Sequence, residues 1–310
     1  MYKSAAFLRE FCSRSADASG RITQSFEIVL VNDGSPDDSL AVALELCAAD
    51  PHIRVIDLSR NFGHHRALMT GMARARGERV FLLDCDLEED PEWLTMFDDV
   101  MRATGADVVY GVQGDRKGGW FERATGSVAY WLYEKLLTVS VPRNVVTARL
   151  MTARYVEALV SHREREVALS GLWAITGFDQ RHVQVRKGSR SDPSYTTRMR
   201  LSALANAVTS FSNRPLVYIF QIGMAVMLLS VLAGGFLFYR SLTDTIGVPG
   251  WASIMVSVWF LGGLIIFCVG VIGMYLAKMF TEIKQRPYTI VRAEHGADRV
   301  PHDGSRGTPA

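Results

Sequence analysis

Five carboxylates fall within seven residues, Asp84, Asp86, Glu88, Glu89 and Asp90, directly after the apolar run VFLL. Such groups repel one another unless a cation or solvent stands between them. Hard oxygen donors at the end of a strand suit Mg²⁺ or Mn²⁺, ions that also bridge the phosphates of a nucleotide. A helix N-terminus gathers acids too, because the macrodipole favours them, and Pro91 with Glu92 fits a first turn. That second reading accounts for Glu89 and Asp90 but not for the pair Asp84 and Asp86. A further polar group, Asn32-Asp33-Gly34-Ser35, closes the run FEIVLV. Its Asp33 can accept from nucleoside hydroxyls or a base N–H, and the same residues also make an ordinary turn. In Arg60-Asn61-Phe62-Gly63 the glycine permits close approach and Arg60 can meet a phosphate.

The elements that must position these groups read as alternating strands and helices: Phe26 to Val31, Leu40 to Ala49, Ile53 to Leu58, His65 to Arg76, Arg79 to Asp84 and Asp107 to Gly111. That alternation predicts a parallel, doubly wound α/β sheet, whose ligands sit beyond the carboxyl ends of the strands. FEIVLV and VFLLD are nearly all apolar, as strands covered on both faces should be. An aromatic-rich helix is expected from Trp120 to Leu137, and a strand from Val183 to Lys187 leading into the polar loop KGSRSDPSYTTR, a candidate lid.

The chain has 310 residues, 34 basic and 32 acidic, so a net charge of +2 gives no support for a nucleic-acid partner. Its apolar content concentrates in residues 216–239 and 251–277, each long enough to cross a hydrocarbon core. Arg214 precedes the first block and Lys278, Lys284 and Arg286 follow the second, which places both ends in the cytoplasm. Glycines 234, 235, 262, 263, 270 and 273 allow close helix approach, within a hairpin or between protomers of a homo-oligomer. Residues 199–212 have helical spacing that suits an interfacial helix or one packed on the sheet. Four cysteines without CxxC spacing fit a reducing compartment, and the first fifteen residues lack the uninterrupted run of a secretory signal. After Arg292 the polar, Gly- and Pro-containing tail is expected to be disordered.

The series VNDGSPDDS, LSRNFGHHRAL, GMARARGE, LLDCDLEEDPEWL, RLM and SFSNRPL resembles family 2 inverting glycosyltransferases of the GT-A fold. It is most similar to the polyprenyl-phosphate hexosyltransferase branch related to dolichol-phosphate mannose synthase. The ending IGMYLAKMFTEIKQRPYTIV resembles that branch as well, and the similarity runs to about Val291. The resemblance implies a Rossmann-like, mostly parallel GT-A domain over residues 1–198 and a juxtamembrane helix over 199–213. Two transmembrane helices would follow within 214–278, then a cytoplasmic segment over 279–310, disordered from about 293. It also implies a multi-pass protein of the plasma or inner membrane. There it would move one sugar from a nucleotide-sugar, a UDP-hexose, to polyprenyl (undecaprenyl) phosphate with inversion, for cell-surface glycans.

By position, Asp33 and Arg60 would contact the donor, while Asp84 and Asp86 would engage the sugar diphosphate and Mg²⁺ or Mn²⁺. Glu88 stands where the family has Gln and would be a third metal ligand. Arg116, Arg149, Lys187 and Arg190 match basic positions that hold acceptor or donor phosphate, and Asp86 with Arg149 would carry catalysis. Two departures stand out. Thr147 replaces a usual acid two residues before Arg149, so a carboxylate base is missing there. An acceptor phosphate with a second pKa of about 6 needs little deprotonation, so transfer does not require that base. The family's first strand also precedes a segment like Met1-Tyr2-Lys3-Ser4, so the coding start is expected upstream, or the chain trimmed. Transfer to a saccharide and a non-catalytic membrane scaffold are the competing readings.

Overall fold

The computed structural model describes residues 1–114, 144–162, 169–188, 216–226, 228, 232, 239 and 251–296. The described residues form two compact units, the second holding those between 216 and 285 and the first the remainder. The first unit opens with helix α1 (Leu8–Gly20), followed by β1 (Ile28–Asn32), α2 (Ser39–Ala49), β2 (Ile53–Leu58), α3 (His64–Met72) and β3 (Arg79–Leu82). Then come α4 (Trp93–Thr104), β4 (Val108–Gln113), β5 (Val145–Thr152), α5 (Ala153–Ser161), α6 (Leu169–Ile175), β6 (Gln180–Val185) and, near the C-terminus, β7 (Val291–His295).

The strands make two sheets, β1-β2-β7 and β3-β5-β4-β6. Alternation alone predicted a mostly parallel sheet, and this is corrected to mixed sheets. β1 with β2 and β4 with β6 run parallel, whereas β2–β7, β3–β5 and β4–β5 are antiparallel. The reason is the two strands that the expectation omitted. β5 enters between β3 and β4 against both of them, and β7 returns from the C-terminal end to lie against β2.

All six residues of β2 are buried, including Arg54 and Asp57. Buried charges need partners, and both have them. Arg54 donates to Glu27 at 2.6 Å, and Asp57 accepts from Asn32 Nδ2 at 2.8 Å and lies 3.3 Å from Arg292. That last contact explains a second correction, because the segment expected to be disordered from residue 293 is ordered as β7 through His295. Its charges, which suggest a solvated tail, are spent on pairing. Arg292 also donates to Ser59 O at 2.6 Å, and Glu294 pairs with Arg74 at 2.6 Å. Helix α1, absent from the expectation, buries Leu8, Phe11, Cys12 and Ala18 among the side chains of β1, α2 and β2.

Helix α4 ends at Gly105, whose φ of +69° lets its N–H reach Met101 O at 2.9 Å. It buries Phe97 against Val109, Ala148 and Leu150, with the ring of Phe81 edge-on at 5.9 Å.

In the second unit, α7 covers Leu216–Val226 and α8 covers Trp251–Ile283. Within α8 the 24 residues Phe260–Ile283 are long and apolar enough to cross a membrane, and this is the one such helix among the described residues. The first expected span, 216–239, is described as continuous helix only over α7. The expected helices at 120–137 and 199–212 and nearly all of the candidate lid lie outside the described residues.

Removal of the Phe97 ring leaves a cavity that the surrounding strands cannot close. Phe97→Ala is expected to destabilise the first unit by about 3–5 kcal/mol. Urea unfolding of that unit should show a lower midpoint with an unchanged slope, and an unmoved midpoint would contradict the packing described.

Candidate active site

The carboxyl ends of β1 and β3 border a cleft of about 910 Å³, lined there by Asp33, His64, Asp84 and Asp86. Asp33 follows β1 and is buried, yet its carboxylate accepts from the backbone N–H groups of Phe62 at 2.7 Å and Gly63 at 3.0 Å. It therefore pins the loop between β2 and α3 and still keeps lone pairs for a ligand. Gly34 makes that approach possible. At φ +59° a Cβ would lie 2.5 Å from Arg60 C and Asn61 N, so the two loops touch backbone to backbone. Arg60 itself is exposed, stacked 4.1 Å from the Phe62 ring centroid and donating to Asn61 O at 2.8 Å.

The five clustered carboxylates are sorted by their neighbours. Asp90 accepts from Arg14 at 2.9 Å, and the same guanidinium holds Glu92 at 2.6 Å. Glu88 pairs with Lys187 at 3.1 Å. Glu89 is fully buried: its Oε1 accepts from Thr147 N at 3.0 Å and lies 3.5 Å from Lys187 Nζ. Asp84 and Asp86 keep the lightest company. Among the described residues Asp84 meets His64 Nε2, at 3.4 Å, and Asp86 accepts from the N–H of Glu88 at 3.0 Å in a tight turn through Leu87, φ +60°.

Titration follows from these surroundings. Burial, with Asp84 and Glu88 nearby, pushes the Asp86 carboxyl above its ordinary value. Burial first and then Asp84 push Glu89 up to about 7. Its Oε2 has no hydrogen-bond partner among the described residues. Burial by itself would lower Lys187, but the charges of Glu89, Glu88 and Asp86 outweigh it and hold the ammonium above its usual range.

Arg149 lies on β5 beneath α6. Its side chain is wholly enclosed, with Cζ 3.0 Å from the Trp173 ring centroid and 5.9 Å from that of Tyr110. It donates to the carbonyls of Thr147 at 3.3 Å and Val146 at 3.4 Å. Burial lowers it to about 9, which leaves it charged at neutral pH.

Asp33, Arg60, Asp84, Asp86, Glu88, Arg149 and Lys187 are thus all placed, whereas Arg116 and Arg190 lie outside the described residues. Asp33, Asp84 and Asp86 come together around one cleft, and Lys187 is drawn against the acidic loop by its two glutamates. Sequence reasoning missed three participants. His64 was signalled only by its position just after Gly63. Arg14 had no signal, since its partners lie 76 and 78 residues away. Glu89 looked like a helix-terminal acid, yet it sets a carboxylate beside the very backbone of Thr147, where an acid is absent from the sequence. Among the described residues no three His, Cys, Asp or Glu side chains form a metal cage on their own.

Comparison with known proteins adds the following. The family described as Glycosyl transferase family 2 matches residues 1–157. A protein of Mycobacterium tuberculosis described among putative glycosyltransferases is 46% identical, covering 98% of this chain and 89% of its own length. The SfII prophage-derived bactoprenol glucosyl transferase of Shigella flexneri is 32% identical, over 87% of this chain and 88% of its own. A solved mannosyltransferase of Pyrobaculum calidifontis, in complex with GDP-Man and Mn²⁺, is 14% identical with a TM-score of 0.47, over 92% of this chain and 84% of its own.

Glu89 yields a test of the electrostatics. Its carboxyl holds a proton more firmly in the folded chain, at about 7, than the ordinary 4.5 of an unfolded one. Folding stability therefore falls as pH rises through that interval and stays low above it. Glu89→Gln removes the charge, so in the presence of a chelator Tm should rise at pH 8 by about 2–4 °C or more and change little at pH 4. A fall in Tm at pH 8 would mean that the carboxylate is better satisfied than its surroundings indicate.

Proposed function

The chain belongs to glycosyl transferase family 2 and is a glycosyltransferase; from that premise we propose that it moves one hexose from a UDP-hexose to undecaprenyl phosphate with inversion, on the cytoplasmic face of the plasma or inner membrane. The observation that carries this reading is the likeness to the bactoprenol glucosyl transferase. It extends over 272 residues, well beyond the family match, and so takes in membrane-helix sequence. A two-span hairpin formed by 216–239 and 251–277 would hold the site near the bilayer, and the exposed apolar surface of α8 supports a lipid surrounding for that part.

The donor set suits a divalent cation. Asp84 and Asp86 are partly buried carboxylates with little cationic company among the described residues, His64 beside Asp84 and the charge of Lys187 near Asp86, and burial first and then the charges of Asp84 and Glu88 raise Asp86. Mg²⁺ and Mn²⁺ are commonly held by one or two carboxylates together with substrate phosphate and water, so a complete protein cage is not needed. Asp84 and Asp86 would hold the ion, which when bound neutralises charge on the departing diphosphate. Asp33 would accept from the nucleoside through its remaining lone pairs, and Arg60 would approach the diphosphate from the neighbouring loop.

Lys187 and Glu88 are coupled in this scheme. For Glu88 to serve as a third ligand and Lys187 to meet acceptor phosphate, the ion pair at 3.1 Å must open, each partner exchanging the other for substrate or metal. The resemblance assigns Arg149, Arg116 and Arg190 to phosphate, and for Arg149, enclosed against Trp173, that role would require the packing over it to open. Lipid phosphate, already ionised near neutral pH, attacks without a base, and its placement opposite the leaving diphosphate gives inversion.

Full-length protein in detergent, given radiolabelled UDP-hexoses, Mn²⁺ or Mg²⁺ and undecaprenyl phosphate, should place label on lipid. Asp84→Ala and Asp86→Ala should each reduce that transfer by about 10²–10³-fold or more and weaken Mn²⁺ binding by calorimetry. Label found only on an added saccharide would replace the lipid reading, and absence of nucleotide binding would favour a scaffold.

A further inference from the structure

The loops at the carboxyl ends of β1 and β2 are both tied to β7, through a residue that the strand ladder skips. Along β7 the register runs from Val55 opposite His295 to Asp57 opposite Ala293, then passes directly to Leu58 opposite Val291. Arg292 is therefore the extra residue of a β-bulge, a device that bends a strand and re-aims a side chain, often next to an active site. Here the guanidinium is turned across the end of β2. One nitrogen lies 3.3 Å from Asp57 Oδ2, and the other donates to Ser59 O at 2.6 Å. Ser59 N donates in turn to Ile290 O at 2.9 Å, so the residue just before Arg60 is held by both its N–H and its carbonyl.

Asp57 carries the same restraint to the other loop. Its Oδ1 accepts from Asn32 Nδ2 at 2.8 Å. An ionised carboxylate can only accept, so the Asn32 amide must turn its NH2 to β2 and its oxygen the other way. That oxygen accepts from Ser35 N at 3.2 Å and closes the turn through Asp33 and Gly34. Asn32 and Asp57 are both buried, where water competes little for such bonds. Asp33 then joins the two loops to each other through the N–H groups of Phe62 and Gly63. Arg292 is itself exposed, and exposed ion pairs add little to stability. What this contact fixes is direction: one guanidinium sets the last residue before Arg60 and, through Asp57 and Asn32, the turn that carries Asp33.

We propose that Arg292, aimed by the bulge in β7, is a positioning residue for the nucleotide of the donor: with Asp57 and Asn32 it sets the two loops from which Asp33 and Arg60 reach that donor. The inference rests on the reading of Asp33 and Arg60 as donor contacts. It gives the segment that follows α8 a part in donor recognition, although none of its residues touches the sugar diphosphate in this scheme. Glu294, on the same strand, pairs with Arg74 beyond the end of α3 and supplies the control.

The test compares the full-length protein in detergent with Arg292→Ala and with Arg74→Ala, which removes a charge pair from the same strand without touching the path to the loops. Exchange of the Ser35, Phe62 and Gly63 amides, followed without ligand, is expected to speed at least about tenfold in Arg292→Ala and to stay unchanged in Arg74→Ala. Binding of UDP with Mn²⁺, measured by calorimetry, should weaken by about 10–100-fold in Arg292→Ala alone. KM for the nucleotide-sugar should rise in step, while kcat and the KM for undecaprenyl phosphate stay within about threefold. Tm should move by less than about 3 °C in either variant. Unchanged exchange and UDP affinity in Arg292→Ala would overturn the inference. Equal losses in both variants would overturn it too, because β7 would then act only as an anchor. Faster exchange with unaltered UDP affinity would remove the donor from these loops, and with it the reading on which the inference rests. UDP affinity lost only in Arg292→Ala, from a parent protein that places no label on lipid, would support the inference while ending the lipid reading.

Discussion

Like charges crowded at one strand end have to be divided among donors, and this constraint shapes the first unit more than any other. Arg14, reaching from α1, takes Asp90 together with Glu92. Lys187, just past β6, takes Glu88 and approaches Glu89, and the backbone of Thr147 on β5 takes a share of Glu89. Three elements distant in sequence thus converge on one loop. What they leave is Asp84 and Asp86, two carboxylates facing a cleft with little to neutralise them. An anion pair left under-compensated in a partly buried place is suited to a cation that arrives with its substrate.

The same economy recurs away from the rim. Asp57, in the middle of a fully buried strand, draws Asn32 from one side and Arg292 from the other, so a buried charge recruits both the end of β1 and the C-terminal strand. Asp33 draws two backbone N–H groups and thereby locks the loop carrying Arg60. These contacts are weak evidence for net stability, since desolvation offsets much of each attraction. Their value lies in geometry: each one fixes where a loop at the carboxyl end of a strand must lie.

Much was legible from residue order. The runs FEIVLV and VFLLD read as strands because nearly continuous apolar residues suit burial, and β1 and β3 form on them. Asp84 and Asp86 stood out because their repulsion has no use in a plain turn. By contrast β5 was hidden: Val145 to Thr152 mixes polar Thr147 and Arg149 with aliphatics and follows a stretch without a clear period. β7 was hidden by its charges, which resemble solvated ones until Asp57 and Arg74 are beside them.

Sequence by itself therefore determined the chemistry available: a family 2 motif series, an acid pair after an apolar strand, and an apolar C-terminal block. Such features are local, and local spacing is what a linear chain displays. Tertiary structure alone decided which acids remain open, that Glu89 lies against Thr147, that Arg149 is enclosed beneath Trp173, and that the edges of β1 and β3 face one cleft. Each of these is a contact between residues far apart in the chain. Desolvation and pairing depend on such neighbours, and no spacing rule along the sequence encodes them.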